Sequence, residues 1–183
     1  MIFLGKFDML KKILVVLVCM LSFSISWAQE SDINTLIISG DYNLARQKVN
    51  NFLIDHPENM VARFQYATIL ALTKKTDNAI EEYNKLVKDY PSLYEVHNNL
   101  GVLYSQQDFY EKSEDSFQEA ISINSKYNIA IENLGDLYVK MAVKTYKKVL
   151  ANDLNNESSM IKYIKTKSLV IDSTVSNLQK IIK

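Results

Sequence analysis

The 183-residue chain has one cysteine, two prolines, two histidines and four glycines. Its only thiol, Cys19, lies inside an apolar stretch near the N-terminus. No disulfide can form within the chain, and no cysteine follows that stretch to serve as nucleophile or thiolate ligand. His56 and His97 stand far apart, without metal-ligand spacing. The glycines never cluster, so no glycine-rich loop is available to cradle a phosphate. No serine sits in a nucleophile motif. These absences point away from an enzyme, and no cofactor or metal is expected.

What is present is a repeat. The hexapeptide Asn-Leu-Gly-x-Leu-Tyr spans 99–104 and recurs 34 residues later at 133–138. Pro57 and Pro91 are also 34 apart, each inside an Asp-x-Pro tripeptide. A 34-residue period marks a helix-turn-helix unit that must stack on copies of itself to bury its apolar face. In a unit beginning at Tyr94, His97, Leu100, Gly101, Tyr104, Ser113, Phe117 and Ala120 follow in order. One beginning at Met60 gives Arg63, Tyr66, Ala67, Leu70, Ala79, Tyr83, Leu86 and Pro91. This succession of bulky, small, aromatic and apolar residues, closed by proline, resembles the tetratricopeptide repeat. Small residues let the two helices of a unit approach, large ones fill the space between helices, and proline stops the second helix.

The resemblance implies an all-α fold, an α-solenoid of repeats. The expected organisation is a leader (1–28), a repeat domain (29–152) and C-terminal capping helices (153–183). The repeats fall at 29–57 (partial), 58–91, 92–125 and 126–152 (irregular). The last departs from the pattern. Ala142, Tyr146 and Val149 supply its small-aromatic-apolar triplet five residues early. Neither glycine nor proline follows Gly135, and Ile131, Leu134, Tyr138, Met141, Thr145 and Val149 share a helical stripe. We read residues 126–151 as one long helix; a hairpin with a distorted turn is the alternative. Leu100 and Leu134 are both expected to be buried, and Gly101 is expected to accept alanine.

At the N-terminus, Lys11 and Lys12 precede an apolar run from Ile13 to Ile25, and Ser26-Trp27-Ala28 ends it. That order reads as a cleaved export signal, with translation starting at Met1 or Met9. An uncleaved anchor and a lipoprotein at Cys19 are the alternatives, although Val18 is large for the residue before a lipidated cysteine. The expected location is the periplasm or the exterior, with no membrane span in the processed chain.

The formal charge is zero, but it is unevenly spread. From Gln29 to Tyr138 there are 9 basic and 17 acidic residues; from Val139 to Lys183 there are 9 and 3. The acidic main body argues against nucleic acid as a partner. The basic end reads as a solvated helix surface or as a weak contact with an anionic surface or acidic partner. Helices are expected over 157–170, capped by Asn156 or Ser158, and from Asp172 onward.

The resemblance also implies a binding surface. In the family, the first helices of successive units line a concave groove. The matching positions here are Phe64, Gln65 and Thr68; Glu95, Asn98, Asn99, Val102 and Ser105; and Glu132, Asn133, Asp136 and Lys140. We take Gln65, Thr68, Asn98, Asn99, Val102, Glu132, Asn133 and Asp136 as candidate protein- or peptide-binding residues. Asparagine amides both donate and accept, which suits an extended peptide backbone. The basic clamp that some family members use for a terminal carboxylate is missing. Packing or capping would equally explain Asn99 and Asn133. The Glu132–Asp136 pair could bind a cation, but a solvated helix face explains it more simply. The sequence therefore implies a non-catalytic scaffold for another envelope protein or peptide. Its rival is a structural subunit that uses its convex face and C-terminal helices.

Overall fold

The computed structural model describes residues 32–153 and 156–168. The expected export signal and the helix expected from Asp172 onward lie outside them. The described residues contain eight helices and no strand: α1 (residues 32–39), α2 (Tyr42–Asp55), α3 (Met60–Leu72), α4 (Thr76–Asp89), α5 (Tyr94–Gln106), α6 (Tyr110–Ile123), α7 (Asn128–Asn152) and α8 (residues 157–168). None is long and apolar enough to cross a membrane.

Capping residues set several starts. The Asp41 carboxylate accepts from the Leu44 amide at 3.3 Å, and the Asn59 side chain from the Ala62 amide at 2.8 Å. Asn156 does the same for Ser159 at 2.9 Å, so it is the cap of α8. Each such oxygen satisfies a donor that the first helical turn leaves without a partner.

The turns inside the hairpins carry the repeat period most plainly. The backbone takes a positive φ at Gly40 (82°), Lys74 (58°) and Asp108 (62°), at successive intervals of 34 residues. The hydrogen bonds repeat with it. Asp41 donates to Leu36, Lys75 to Leu70 and Phe109 to Tyr104, each at 2.9 Å. A single left-handed residue ends one helix and reverses the chain into the next. Glycine takes that conformation without strain, and aspartate tolerates it. The next position in the series is Ala142, which lies within the 25-residue α7. The last repeat therefore has no turn, and the long-helix reading is the structure's.

The chain divides into two compact units, Met1–Glu82 and Tyr83–Lys183, with the division falling within α4. In the first, Ile33, Ala45, Val49, Phe52, Ala62 and Ile69 form one buried cluster, flanked by Leu36, Tyr42 and Tyr66. In the second, the buried hydrophobic residues among those described are Tyr83, Leu86, Val96, Leu100, Leu103, Phe117, Ala120, Ala130, Leu137 and Leu150. The α5–α6 hairpin is its tightest element. A Cβ on Gly101 would lie 2.6 Å from two carbons of the Phe117 ring, and the Ser113 hydroxyl donates to the Gly101 carbonyl at 2.7 Å. Phe117 is 1% exposed, so its ring has little room to yield. Gly101 therefore does not accept alanine freely, contrary to expectation.

Gly135 holds the same place in the second hexapeptide, yet a Cβ there would meet no described residue within 4 Å. Leu134 is only half-buried, and Leu137 takes the core position instead. The cause is the missing turn: among the described residues, no second helix of this repeat folds back over this face of α7.

Candidate functional site

The candidate residues fall in both compact units, and each set is described within its own. In the first unit, Gln65 and Thr68 lie on α3. Gln65 is buried, and its Nε2 donates to the Asn34 side chain of α1 at 2.9 Å. The Thr68 hydroxyl donates to the Phe64 carbonyl at 2.8 Å. That is the usual inward bond of a helical threonine, and it uses the hydroxyl's only hydrogen.

In the second unit, the asparagines form a ladder across three helices. Asn133 on α7 donates through Nδ2 to Asn98 Oδ1 on α5 at 2.8 Å. Asn98 donates to Asn99 Oδ1 at 3.4 Å, and Asn99 donates to the Tyr83 hydroxyl on α4 at 3.0 Å. Asn98 and Tyr83 are buried. A buried amide without partners would cost about 1–3 kcal/mol, so the ladder stabilises the approach of α4, α5 and α7. The 34-residue period pairs Asn99 with Asn133, whereas the hydrogen bond runs from Asn133 to Asn98. Sequence register gives the helix face but not which neighbour each amide chooses.

Glu132 and Asp136 stand exposed on α7 beside that ladder, and Val102 is half-buried on α5. Among the described residues, no three of His, Cys, Asp and Glu gather to hold a metal ion. His97 is buried, with Nε2 2.9 Å from the Pro91 carbonyl, and His56 stacks on Phe52 with ring centroids 4.6 Å apart. Both are packing residues.

A second cluster lies where α7 passes the α5–α6 turn. Asp108 accepts from the Tyr110 hydroxyl at 2.7 Å and pairs with Lys140 at 3.1 Å and Lys144 at 3.3 Å. The Tyr110 hydrogen bond, and after it the two lysines, hold the Asp108 carboxyl down at about 2. The Lys144 ammonium sits 4.6 Å from the Tyr110 ring centroid, and Lys140 also donates to the Ser105 carbonyl. These contacts bracket Ala142 and hold α7 straight where the earlier repeats turn. Beyond them, an open cavity of about 660 Å³ is lined by Tyr110, Met141, Lys144, Lys147 and Lys148, among others. The sequence did not single out this cavity. Its one signal was lysine at 140, 144 and 148, a basic row at four-residue spacing.

Comparison with known proteins agrees with the geometry. Residues 94–127, which begin with α5 and end just before α7, match the family model of the tetratricopeptide repeat. The chain is 28% identical over 138 residues to the uncharacterised protein ycf37 of Pyropia yezoensis, covering 68% of this chain and 75% of that protein. It is 33% identical over 92 residues to the chloroplastic tetratricopeptide repeat domain-containing protein PYG7 of Arabidopsis thaliana, covering 48% of this chain and 30% of that one. Among solved structures, YrrB, a tetratricopeptide repeat protein with an unusual peptide-binding site, shares the fold with a TM-score of 0.53 at 21% identity. That likeness covers 57% of this chain and 54% of YrrB. The chain thus spans about half of YrrB and under a third of PYG7. The matched repeat, the turns recurring at its period and the shared all-α solenoid fold place the chain in the tetratricopeptide repeat family.

Proposed function

We propose that the protein is a non-catalytic scaffold that binds a protein or extended peptide on the face formed by α5 and α7. The observation that carries this reading is the Asn133–Asn98 hydrogen bond. It sets two first helices of successive repeats side by side, with exposed Glu132 and Asp136 along one edge. Such a face suits a peptide with basic or polar side chains. Because the ladder uses the Asn98 and Asn99 oxygens as internal acceptors, the ligand's backbone meets the Asn133 oxygen and the two carboxylates. Gln65, Thr68, Asn99 and Val102 extend the candidate set on the first helices of their repeats. The peptide-binding site of YrrB is a precedent for such binding on this fold.

The place of action we propose lies outside the cytosol, in the envelope or beyond it. The ordered basic, apolar and small-residue segments of residues 1–28 support this, and the relative PYG7 is chloroplastic. A photo-crosslinking residue tests the face directly. Placed at Asp136, it should capture the partner in intact cells; placed at exposed Glu119 on α6, it should not. Capture from Glu119 alone would refute the reading.

The rival reading uses the far end of α7. The cavity lined by Lys144, Lys147 and Lys148 favours an acidic partner there. Capture from Lys148 instead of Asp136 would support it.

A further inference from the structure

Within α5–α6, the inner face of the first helix carries His97, Gly101 and Tyr104, and the second helix carries Ser113, Phe117 and Ala120. Antiparallel packing seats Phe117 on Gly101 and sets Ser113 against the Gly101 carbonyl. The last repeat contains both sets. Ile131, Gly135 and Tyr138 match the first, and Ala142, Tyr146 and Val149 match the second. Both lie on one unbroken helix, because the turn is absent. Eleven residues separate Gly135 from Tyr146, about three helical turns, so the two sets share one face. A straight helix cannot fold back on itself, so among the described residues no second helix of the same repeat covers that face, and the Tyr138 hydroxyl instead donates to Glu114 of α6 at 2.7 Å. Ile131 and Tyr138 are each 46% exposed and Val149 36%, while a Cβ on Gly135 would meet no described residue within 4 Å.

We propose that a second copy of the chain covers this face, its α7 packing antiparallel on the first and completing the last repeat in trans. One register satisfies every pairing. Ile131 meets Val149, Gly135 meets Tyr146 and Tyr138 meets Ala142, with Tyr146 seated on Gly135 as Phe117 sits on Gly101 in the preceding repeat. The two-fold axis passes near Lys140, so each contact occurs twice and the assembly closes as a dimer. Small residues at 135 and 142 oppose large ones at 146 and 138, which allows close approach.

The charges select the second copy and its direction. Exposed Glu132 and Asp136 lie in the first half of α7, and exposed Lys147 and Lys148 in the second. Antiparallel pairing brings Glu132 level with Lys147 and Lys148 of the other copy; parallel pairing would bring like charges together. The paired segment, 131–149, is about 27 Å long at the ordinary helical rise. Asn98 and Asn133 already bond each other across α5 and α7, and Glu132 and Asp136 serve both readings, so the test of the dimer uses Gly135, Ile131 and Val149, which the ligand reading does not use.

The test uses the intact chain with Cys19→Ser. Sedimentation equilibrium should give a dimer at micromolar concentration. Gly135→Leu should raise the dimer dissociation constant at least tenfold without loss of helicity, because no described residue of its own chain meets that position. In mixtures, an Ile131→Cys chain and a Val149→Cys chain should be joined by a short bis-maleimide, while neither should join to itself. A monomer at every concentration overturns the proposal. So does a dimer that ignores Gly135→Leu or fails the mixed crosslink. A monomer whose melting temperature falls with Gly135→Leu also overturns it, and assigns the face to the chain's own residues 169–183.

Discussion

The two copies of Asn-Leu-Gly-x-Leu-Tyr offer a matched experiment, because the same substitution meets opposite surroundings. Gly101→Ala and Gly135→Ala each replace glycine inside a helix. Each gains about 0.8–1 kcal/mol in helix propensity. At 101 the new methyl lies 2.6 Å from Phe117 Cδ1 and Cε1 and 2.9 Å from Cζ. Ordinary contact begins near 3.4 Å, so a ring that is 1% exposed must move by several tenths of an ångström. Overpacking of this kind costs about 1–3 kcal/mol. At 135 no described residue lies within 4 Å, and the propensity gain stands alone. The propensity terms cancel between the variants, so their difference measures the clash. Gly101→Ala should be less stable than Gly135→Ala by about 1–3 kcal/mol. Urea unfolding of both, at concentrations low enough to keep the chain monomeric, reads that difference. Equal stability, or a more stable Gly101→Ala, would refute the packing described for α5–α6.

Other outcomes follow from the same structure. Leu100→Ala removes a side chain that is 4% exposed and should cost about 2–5 kcal/mol, whereas half-buried Leu134→Ala should cost about 1 kcal/mol or less; thermal melts compare them. Asp108 titrates at about 2 in the folded chain, below the ordinary aspartate value of about 3.9 in the unfolded one. Its contribution is therefore full above about pH 4 and is lost as pH falls toward 2. Asp108→Asn should flatten the pH dependence of the urea midpoint in that window, and an unchanged slope would contradict the Tyr110, Lys140 and Lys144 contacts. Mass spectrometry of the native protein should find an N-terminus at Gln29; a form that retains a lipidated Cys19 would contradict export by signal cleavage.

The repeat period was legible because packing enforces it. Gly101 needs Phe117 over it, and Pro57 and Pro91 end helices, so each leaves a residue that cannot be exchanged freely. The long α7 was legible as well, from the early arrival of Ala142, Tyr146 and Val149 without a turn residue before them. Other features were hidden. A motif carries no statement of whether its packing partner is present, so Asn133–Tyr138 looked as buried as Asn99–Tyr104 and is not. The left-handed turns at Lys74 and Asp108 were masked because neither residue is glycine. The asparagine ladder depends on side-chain direction, and the choice of Asn98 over Asn99 by Asn133 follows from helix placement rather than spacing. The Asp108–Tyr110–Lys144 cluster joins residues 36 apart, beyond the reach of any local motif.

The central claim is that the α5–α7 face selects its ligand with Glu132 and Asp136. Both are exposed, so reversing them tests recognition without disturbing the core. The measurement is retention of the purified chain on an immobilised library of extended peptides, comparing wild type with the Glu132→Lys, Asp136→Lys double variant. The account predicts that basic peptides retain wild type, that the double variant loses them at unchanged helicity, and that a chain ending at Asn152 still binds. Retention of the same peptides by the charge-reversed variant, or loss of binding on removal of residues 153–183 alone, would contradict it.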